Sequence, residues 1–300
     1  MPISTKLFND QAIARFNRLT GDIQNTQGRI ATGKNILRAS DDPVAAANVS
    51  FTRDQKVMLD RFNTNIDRAR TRLNVTENVL TDSTNVLTRA YELALQGRND
   101  TLSVVDRKAI AREVTQLKNT VMALANSRDA SGNFMFSGFK LGTKPFKADE
   151  DGVIQYHGDR GAHSVQISEG LRLRSGVDGA TLFLRVPTQT GGKDVFGILE
   201  KLESDLNSGY VDAASVNDLD SSIQHFSIQQ TRVGAELNKA DLQQTALEKR
   251  IMLMDENLSN LEDADLASLV TELQSQIVSR DAAQQAFVKI GQQSLFDFIR

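Results

Sequence analysis

The chain has no cysteine and no tryptophan in 300 residues, and only four prolines and three tyrosines. Without thiols it holds neither a disulfide framework nor thiolate chemistry at a metal or a substrate. Fourteen Phe supply most of its large side chains, too few for one thick globular core, although 40% hydrophobic residues suffice for packed structure. The net charge is -3, with basic residues interleaved among acidic ones. Nothing in that balance points to nucleic acid or an anionic membrane as a partner. No apolar run is long enough to span a bilayer, and the segment Met1 to Asp10 lacks the apolar stretch of a cleaved signal peptide. On this test alone the chain is expected in the cytoplasm, and export would need another route.

What the chain does have is heptads. Thirteen positions alternately four and three apart run through Leu219, Ile223, Phe226, Gln230, Val233, Leu237, Ala240, Gln244, Leu247, Ile251, Met254, Leu258 and Leu261. That spacing is a coiled-coil seam, predicting one helix of ~64 Å over these residues. A second seam comprises Leu59, Phe62, Ile66, Ala69, Leu73, Thr76, Leu80, Ser83, Leu87, Ala90 and Ala94, for a helix of ~54 Å. Two seams of similar length in one chain can cover each other. The expected fold is mainly α: an elongated rod of long antiparallel coiled-coil helices built from both chain ends.

Both ends carry thinner versions of the pattern. Residues 3–37 are expected as a helix, with Phe16, Ile23, Ile30 and Leu37 seven apart and Ile13 added, but Thr20, Gln27 and Lys34 dilute the stripe. Residues 264–299 place Leu266, Leu269, Leu273 and Ile277 in register; Arg280 then interrupts, before Phe287, Ile290, Leu295, Phe296 and Phe298. Such helices bury too little alone to offset their ordering entropy, so they are expected to remain disordered until a partner covers them. These fourteen apolar residues are the candidate assembly interface.

Between the ends, Asp42-Pro43 predicts a helix start, Gln96-Gly97 a stop, and Ser103 to Asp106 a capping spacing for a further helix with Ile110, Val114, Leu117, Val121 and Leu124 inward. Residues 132–213 differ in character: Gly is frequent and short alternating segments replace heptads. Val153 to Tyr156, Ser164 to Ile167, Leu171 to Arg174 and Thr181 to Val186 are expected as strands in a small β-rich insert. An amphipathic helix capped by Asp194 and stopped by Gly209 closes it. The division is thus 1–40 with 261–300, 41–131 with 214–260, and the insert 132–213.

No catalytic, cofactor or metal site is predicted. His157, Asp159 and His163 form the one cluster with ligand chemistry, yet they lack a second ligand pair at helical or hairpin spacing. Asp149 to Gly152 lacks the alternating ligands and terminal Glu of a calcium loop. Gly191-Gly192-Lys193-Asp194 is expected to be a flexible link with a helix cap, not a phosphate loop.

Residues Ile30 to Pro43, Ile-Ala-Thr-Gly-Lys-Asn-Ile-Leu-Arg-Ala-Ser-Asp-Asp-Pro, and Arg89 to Gln96, Arg-Ala-Tyr-Glu-Leu-Ala-Leu-Gln, resemble signatures of the bacterial flagellin superfamily. Phe134 to Phe146, Tyr156 to Asp159 and Ser294 to Ile299 resemble the branch that joins hook to filament, whereas the terminal Arg300 is more flagellin-like. The resemblance covers nearly the whole chain. It implies a structural, extracellular flagellar protein exported through the flagellar type III channel, forming the hook–filament junction layer. The partners it implies are further copies of the chain in a ring or tubular layer, the hook-side hook-associated protein 1, flagellin and an export chaperone. A flagellin filament subunit is the alternative, and a cytoplasmic signalling coiled coil a third reading.

Overall fold

The computed structural model describes residues 2–150 and 152–296; of 2–5, 8 and 290–296 it describes the backbone. The architecture is mainly α. Seven helices are found among the described residues: α1 (Pro2–Thr32), α2 (Pro43–Gly97), α3 (Val104–Ala125), α4 (Gly179–Phe183), α5 (Val195–Ser208), α6 (Ala213–Glu262) and α7 (Leu266–Phe296). Six short strands lie between α3 and α5: β1 (Phe146–Ala148), β2 (Ile154–Tyr156), β3 (Ser164–Gln166), β4 (Arg172–Arg174), β5 (Val186–Thr188) and β6 (Gly191–Lys193). The chain divides into two compact units, Met1–Met58 with Lys249–Arg300, and Leu59–Glu248.

In the larger unit the α2 seam behaves as its spacing requires. All eleven seam positions from Leu59 to Ala94 are buried, and of the residues between them only Val79 and Leu93 are buried as well. Its partner is α6, running antiparallel: Arg70 donates to Gln244 at 2.7 Å, and Gln230 donates to Thr81 at 3.0 Å. On α6, Leu219, Phe226, Val233, Ala240 and Leu247 are buried and the intervening seam positions half-buried. The buried Thr76 and Ser83 return their hydroxyls to the carbonyls four residues back, so neither leaves an unpaired polar atom in the seam. Helix α3 packs against α5. The Ser103 hydroxyl accepts from the Asp106 amide at 3.2 Å, Asp194 accepts from Gly197 N, and Gly209 ends α5 in the left-handed region at φ 89°.

The insert is three separate antiparallel ladders, β1–β2, β3–β4 and β5–β6, around an aromatic core. Phe136, Phe146, Phe183, Phe196 and Phe226 are among the fully buried side chains. Phe183 meets Phe136, Phe146, Phe196 and Phe226 at centroid separations of 5.4, 5.2, 6.1 and 5.5 Å. Mostly edge-to-face contacts of this kind add to plain area burial. The few aromatics of the chain are concentrated here. Two partly buried ion pairs tie the insert to the long helices: Arg72 with Asp129 at 3.4 Å, and Lys193 with Asp218 at 2.6 Å. Arg72 also donates to the Met135 carbonyl at 3.1 Å.

Three local expectations are corrected. The first helix stops at Thr32, not residue 37, because Gly33 takes φ 67° and turns the chain. Residues 181–186 are not one strand. Asp178 accepts from the amides of Ala180 and Thr181 and starts the short α4, which turns Leu182 and Phe183 into the core. Asp178 is the cap of α4, and Gly179 is required after it because a Cβ there would lie 2.3 Å from the Phe136 carbonyl oxygen. Gly191 to Lys193 is a strand paired with Val186 to Thr188, not a flexible link.

Candidate assembly interface

The smaller unit is built around α1 and α7, which pack on each other. Their antiparallel register follows from two points of contact. Phe16 meets Phe287 edge-to-face at 5.9 Å, and Lys34 pairs with Asp263 through a β-bridge. At the bridged end the backbone is tied twice more, Asn35 N to the Glu262 carbonyl at 2.6 Å and Ala264 N to the Gly33 carbonyl at 2.9 Å. Gly33 and the cap at Asp265, which accepts from Ala267 N at 3.0 Å, break both helices opposite each other. On the other side of the break, Asp42 accepts from the amides of Val44 and Ala45 and starts α2. The helix interruptions at 33–42 and 263–265 thus form one joint.

A carboxylate sits at that joint. Glu262 is 8% exposed, and its Oε2 accepts from Lys34 Nζ at 2.7 Å and Arg53 Nη2 at 2.5 Å. One turn along, Lys56 pairs with Asp255. Both cations on Glu262 are half-exposed, so solvent screens them while the carboxylate has few other partners. The heptad rule stops at Leu261 and passes over Glu262. The signal that could have found it is a charged residue directly following a seam position at a helix end.

Burial divides the candidate interface residues. Ile23 and Leu269 are fully buried, at 6% and 4% exposure. Phe16, Ile30, Leu273, Ile277 and Phe287 are half-buried. Ile13, Leu37 and Leu266 are exposed, joined by Leu7, Val270, Val278 and Val288, which the heptad pattern did not include. Leu37 lies beyond the helix and folds back toward Gly28, where an added Cβ would stand 3.0 Å from its Cδ1. Ile290, Leu295 and Phe296 lie on the described backbone of α7, and Phe298 lies outside the described residues.

The contact between α1 and α7 is loosely filled. Beside the Phe16–Phe287 pair, Ala12, Ala283 and Ala286 leave an open cleft of about 320 Å³. Polar atoms enter the packing as well. Thr26 is 3% exposed, and the buried Oε1 of Gln276 has no hydrogen-bond partner, its Nε2 donating to Glu272 at 3.0 Å. An unpaired buried acceptor costs about 1–3 kcal/mol. The described side chains of the two helices thus include two fully buried large aliphatic groups, an orphaned amide oxygen and six exposed large apolar residues.

The cluster of His157, Asp159 and His163 has a structural role. Asp159 accepts from the amides of Phe139 at 2.9 Å and Gly161 at 2.8 Å, and these bonds hold its carboxyl below the usual range. His163 Nε2 bonds the Gly138 carbonyl at 3.0 Å. Among the described residues no three His, Asp or Glu side chains converge as metal ligands, and no helix is long and apolar enough to cross a membrane.

Residues 3–140 match the model of the bacterial flagellin N-terminal helical region. Over its whole length the chain is 24% identical to the flagellar hook-associated protein 3 of Salmonella typhimurium, covering all of that protein. A flagellin of Clostridium tyrobutyricum is 28% identical over 52% of this chain and 41% of its own length. The crystal structure of flagellar hook-associated protein 3 from Legionella pneumophila shares the fold, with a TM-score of 0.66 at 18% identity over 71% of this chain and 98% of that one.

Proposed function

We infer that this chain, which belongs to the bacterial flagellin superfamily, is a structural protein of the flagellum that forms the junction layer between hook and filament. The observation that carries this reading is the extent of the likenesses. Hook-associated protein 3 corresponds from end to end, whereas the Clostridium tyrobutyricum flagellin matches about half of the chain and a filament core protein of Treponema maltophilum 89% of it. The exposed apolar face of α1 and α7 supports a mechanism of coupled folding and binding. In it, 1–40 and 261–300 gain their order by docking into the growing layer, 41–131 with 214–260 stand as the helical middle, and 132–213 face outward. The apolar residues of α1 and α7 named above, with Phe298, form the contact between copies.

The partners in this reading are further copies of the chain, hook-associated protein 1 on one side and flagellin on the other, with an export chaperone before assembly. Delivery is through the flagellar type III channel without a cleaved signal, and the chain carries out no catalysis. Immunogold labelling of intact flagella tests the assignment. Label confined to the hook end of the filament supports it, while label along the filament indicates a filament subunit and cytoplasmic label a signalling coiled coil. Self-polymerisation of the purified chain into long filaments would also count against the junction role.

A further inference from the structure

A cleft in the larger unit gathers three arginines from three different elements: Arg160 from the loop before β3, Arg174 from β4 and Arg232 from α6. None of them has an ion-pair partner among the described residues, whereas Arg53, Lys56, Arg70, Arg72 and Arg89 along α2 each have one. The two carboxylates of the cleft are already engaged. Asp178 accepts from the Ala180 and Thr181 amides and from the Thr181 hydroxyl, and Glu236 accepts from Arg174 N and faces Lys239. The lining thus holds three guanidinium groups against two carboxylates, one of them shared with Lys239, a formal excess of positive charge in a chain whose net charge is -3.

The wall beneath the arginines is aliphatic, formed by Leu73, Val177 and Val233. Gln229 also lines the cleft. It is 8% exposed; its Oε1 is bound by Arg232 Nη1 at 3.5 Å, and its Nε2 donates to no described group. The Gln229 amide, held through its oxygen by Arg232, leaves its NH2 group free to donate from the cleft wall beside the guanidinium groups. The cleft encloses about 470 Å³, within the range of clefts that hold small ligands or a short stretch of chain.

We propose that this cleft binds an acidic peptide segment, with Arg160, Arg174 and Arg232 taking carboxylates, Gln229 Nε2 donating to a carboxylate or carbonyl oxygen, and the peptide's aliphatic groups lying on Leu73, Val177 and Val233. Guanidinium forks match carboxylates in planar, two-bond geometry, and three forks on three elements suit carboxylates spaced along an extended chain rather than one compact anion. No aromatic ring lines the cleft, so it offers no stacking platform for a nucleobase or a sugar. Every residue that lines the cleft belongs to the larger unit, Leu59–Glu248.

The test uses the full-length chain and a fluorescent hexaglutamate peptide, with hexaglutamine as the neutral control. Anisotropy at moderate salt should show hexaglutamate binding alone. Arg174→Gln, Arg232→Gln and Gln229→Leu should each weaken it about tenfold, with unchanged circular dichroism. Arg112→Gln, an unpaired surface arginine outside the cleft, should leave it unaltered. The proposal is overturned if hexaglutamate does not bind, if Arg112→Gln weakens it as much as the cleft variants, or if a sulfated glycan occupies the cleft while hexaglutamate does not. Inorganic phosphate displacing the peptide at equal concentration also overturns it, by showing a simple anion site.

Discussion

Leu269→Ala is the sharpest probe of the end helices. Among the described side chains of α1 and α7, Ile23 and Leu269 are the large aliphatic ones that are fully buried. Each contributes about 1.5–3 kcal/mol by burial, so together they supply about 3–6 kcal/mol to the pair. Truncating Leu269 to Ala costs about 2–5 kcal/mol, a major part of that total. The α1–α7 pair should therefore open without the larger unit noticing, because the seam between Leu59 and Leu247 lies within the larger unit and α7 within the smaller. Amide hydrogen exchange on the full chain reads the two units separately. Loss of even 2 kcal/mol accelerates exchange in α1 and α7 by about 30-fold where opening is at equilibrium. Protection in the buried stretch of α2 and α6 should be unchanged. Unaltered exchange in α1 and α7 would refute the claim that a few aliphatic contacts hold the pair, and an equal loss throughout the chain would refute the independence of the units.

Gly33→Ala forces a Cβ into the left-handed region with no neighbour within 4 Å, so it should lower stability by about 1–2 kcal/mol from backbone strain alone. Gly138→Ala adds to the same strain a Cβ at 2.4 Å from the Asp159 carbonyl oxygen, so its urea midpoint should fall further than that of Gly33→Ala. Phe183→Ala empties the centre of the aromatic cluster and should cost about 3–5 kcal/mol, with loss of near-ultraviolet circular dichroism and retention of most helix signal. Burial drives the pKa of His225 below 6.5, with Arg232 acting in the same direction, so the fold holds the ring neutral with Nε2 against the Thr181 carbonyl at 3.2 Å. Its contribution is complete above the unfolded pKa and is lost as pH falls through the folded value. Stability of the native chain should decline from about pH 7 to 5, and His225→Gln should flatten that part of the profile in thermal melts; an unchanged slope would show that other groups set it.

The parts of the fold legible in the sequence are those where one physical demand acts along a whole element. A narrow seam must be covered at every turn, and every seam position from Leu59 to Ala94 is indeed buried. Caps were legible for a similar reason: Asp42, Ser103 and Asp194 each stand before a helix whose first amides have no other acceptor. The misread segments are those where a single residue carries two possible meanings. Asp178-Gly179 suits a hairpin turn and a helix cap equally well, and only the proximity of Phe136 to Gly179 decides between them. Gly33 lies inside a heptad pattern that would continue to Leu37, and the backbone pairing of Gly33 and Asn35 with 262–264 outweighs it. Neither the buried Glu262 nor the arginine cleft follows from any local pattern, since each is assembled from residues far apart in the chain.

The same heptad rule produces opposite outcomes in the two units, and the difference lies in what fills the alternate positions. Between Leu59 and Ala94 polar seam residues are few and small, and Thr76 and Ser83 satisfy their own hydroxyls within the helix. In α1 the corresponding positions hold Thr20 and Gln27, and just past its end Lys34, long or polar groups that a two-helix contact cannot bury without partners. Lys34 finds its partner in Glu262, which places it at the joint rather than in the packing. What remains for α7 to cover is a broken stripe, and the aliphatic groups left over, Leu7, Ile13, Val270, Val278 and Val288, face water. A full seam inside one chain leaves nothing to offer a neighbour. An incomplete one holds its two helices in register while leaving apolar surface exposed, and that surface is what the proposed addition of subunits to a growing layer would use.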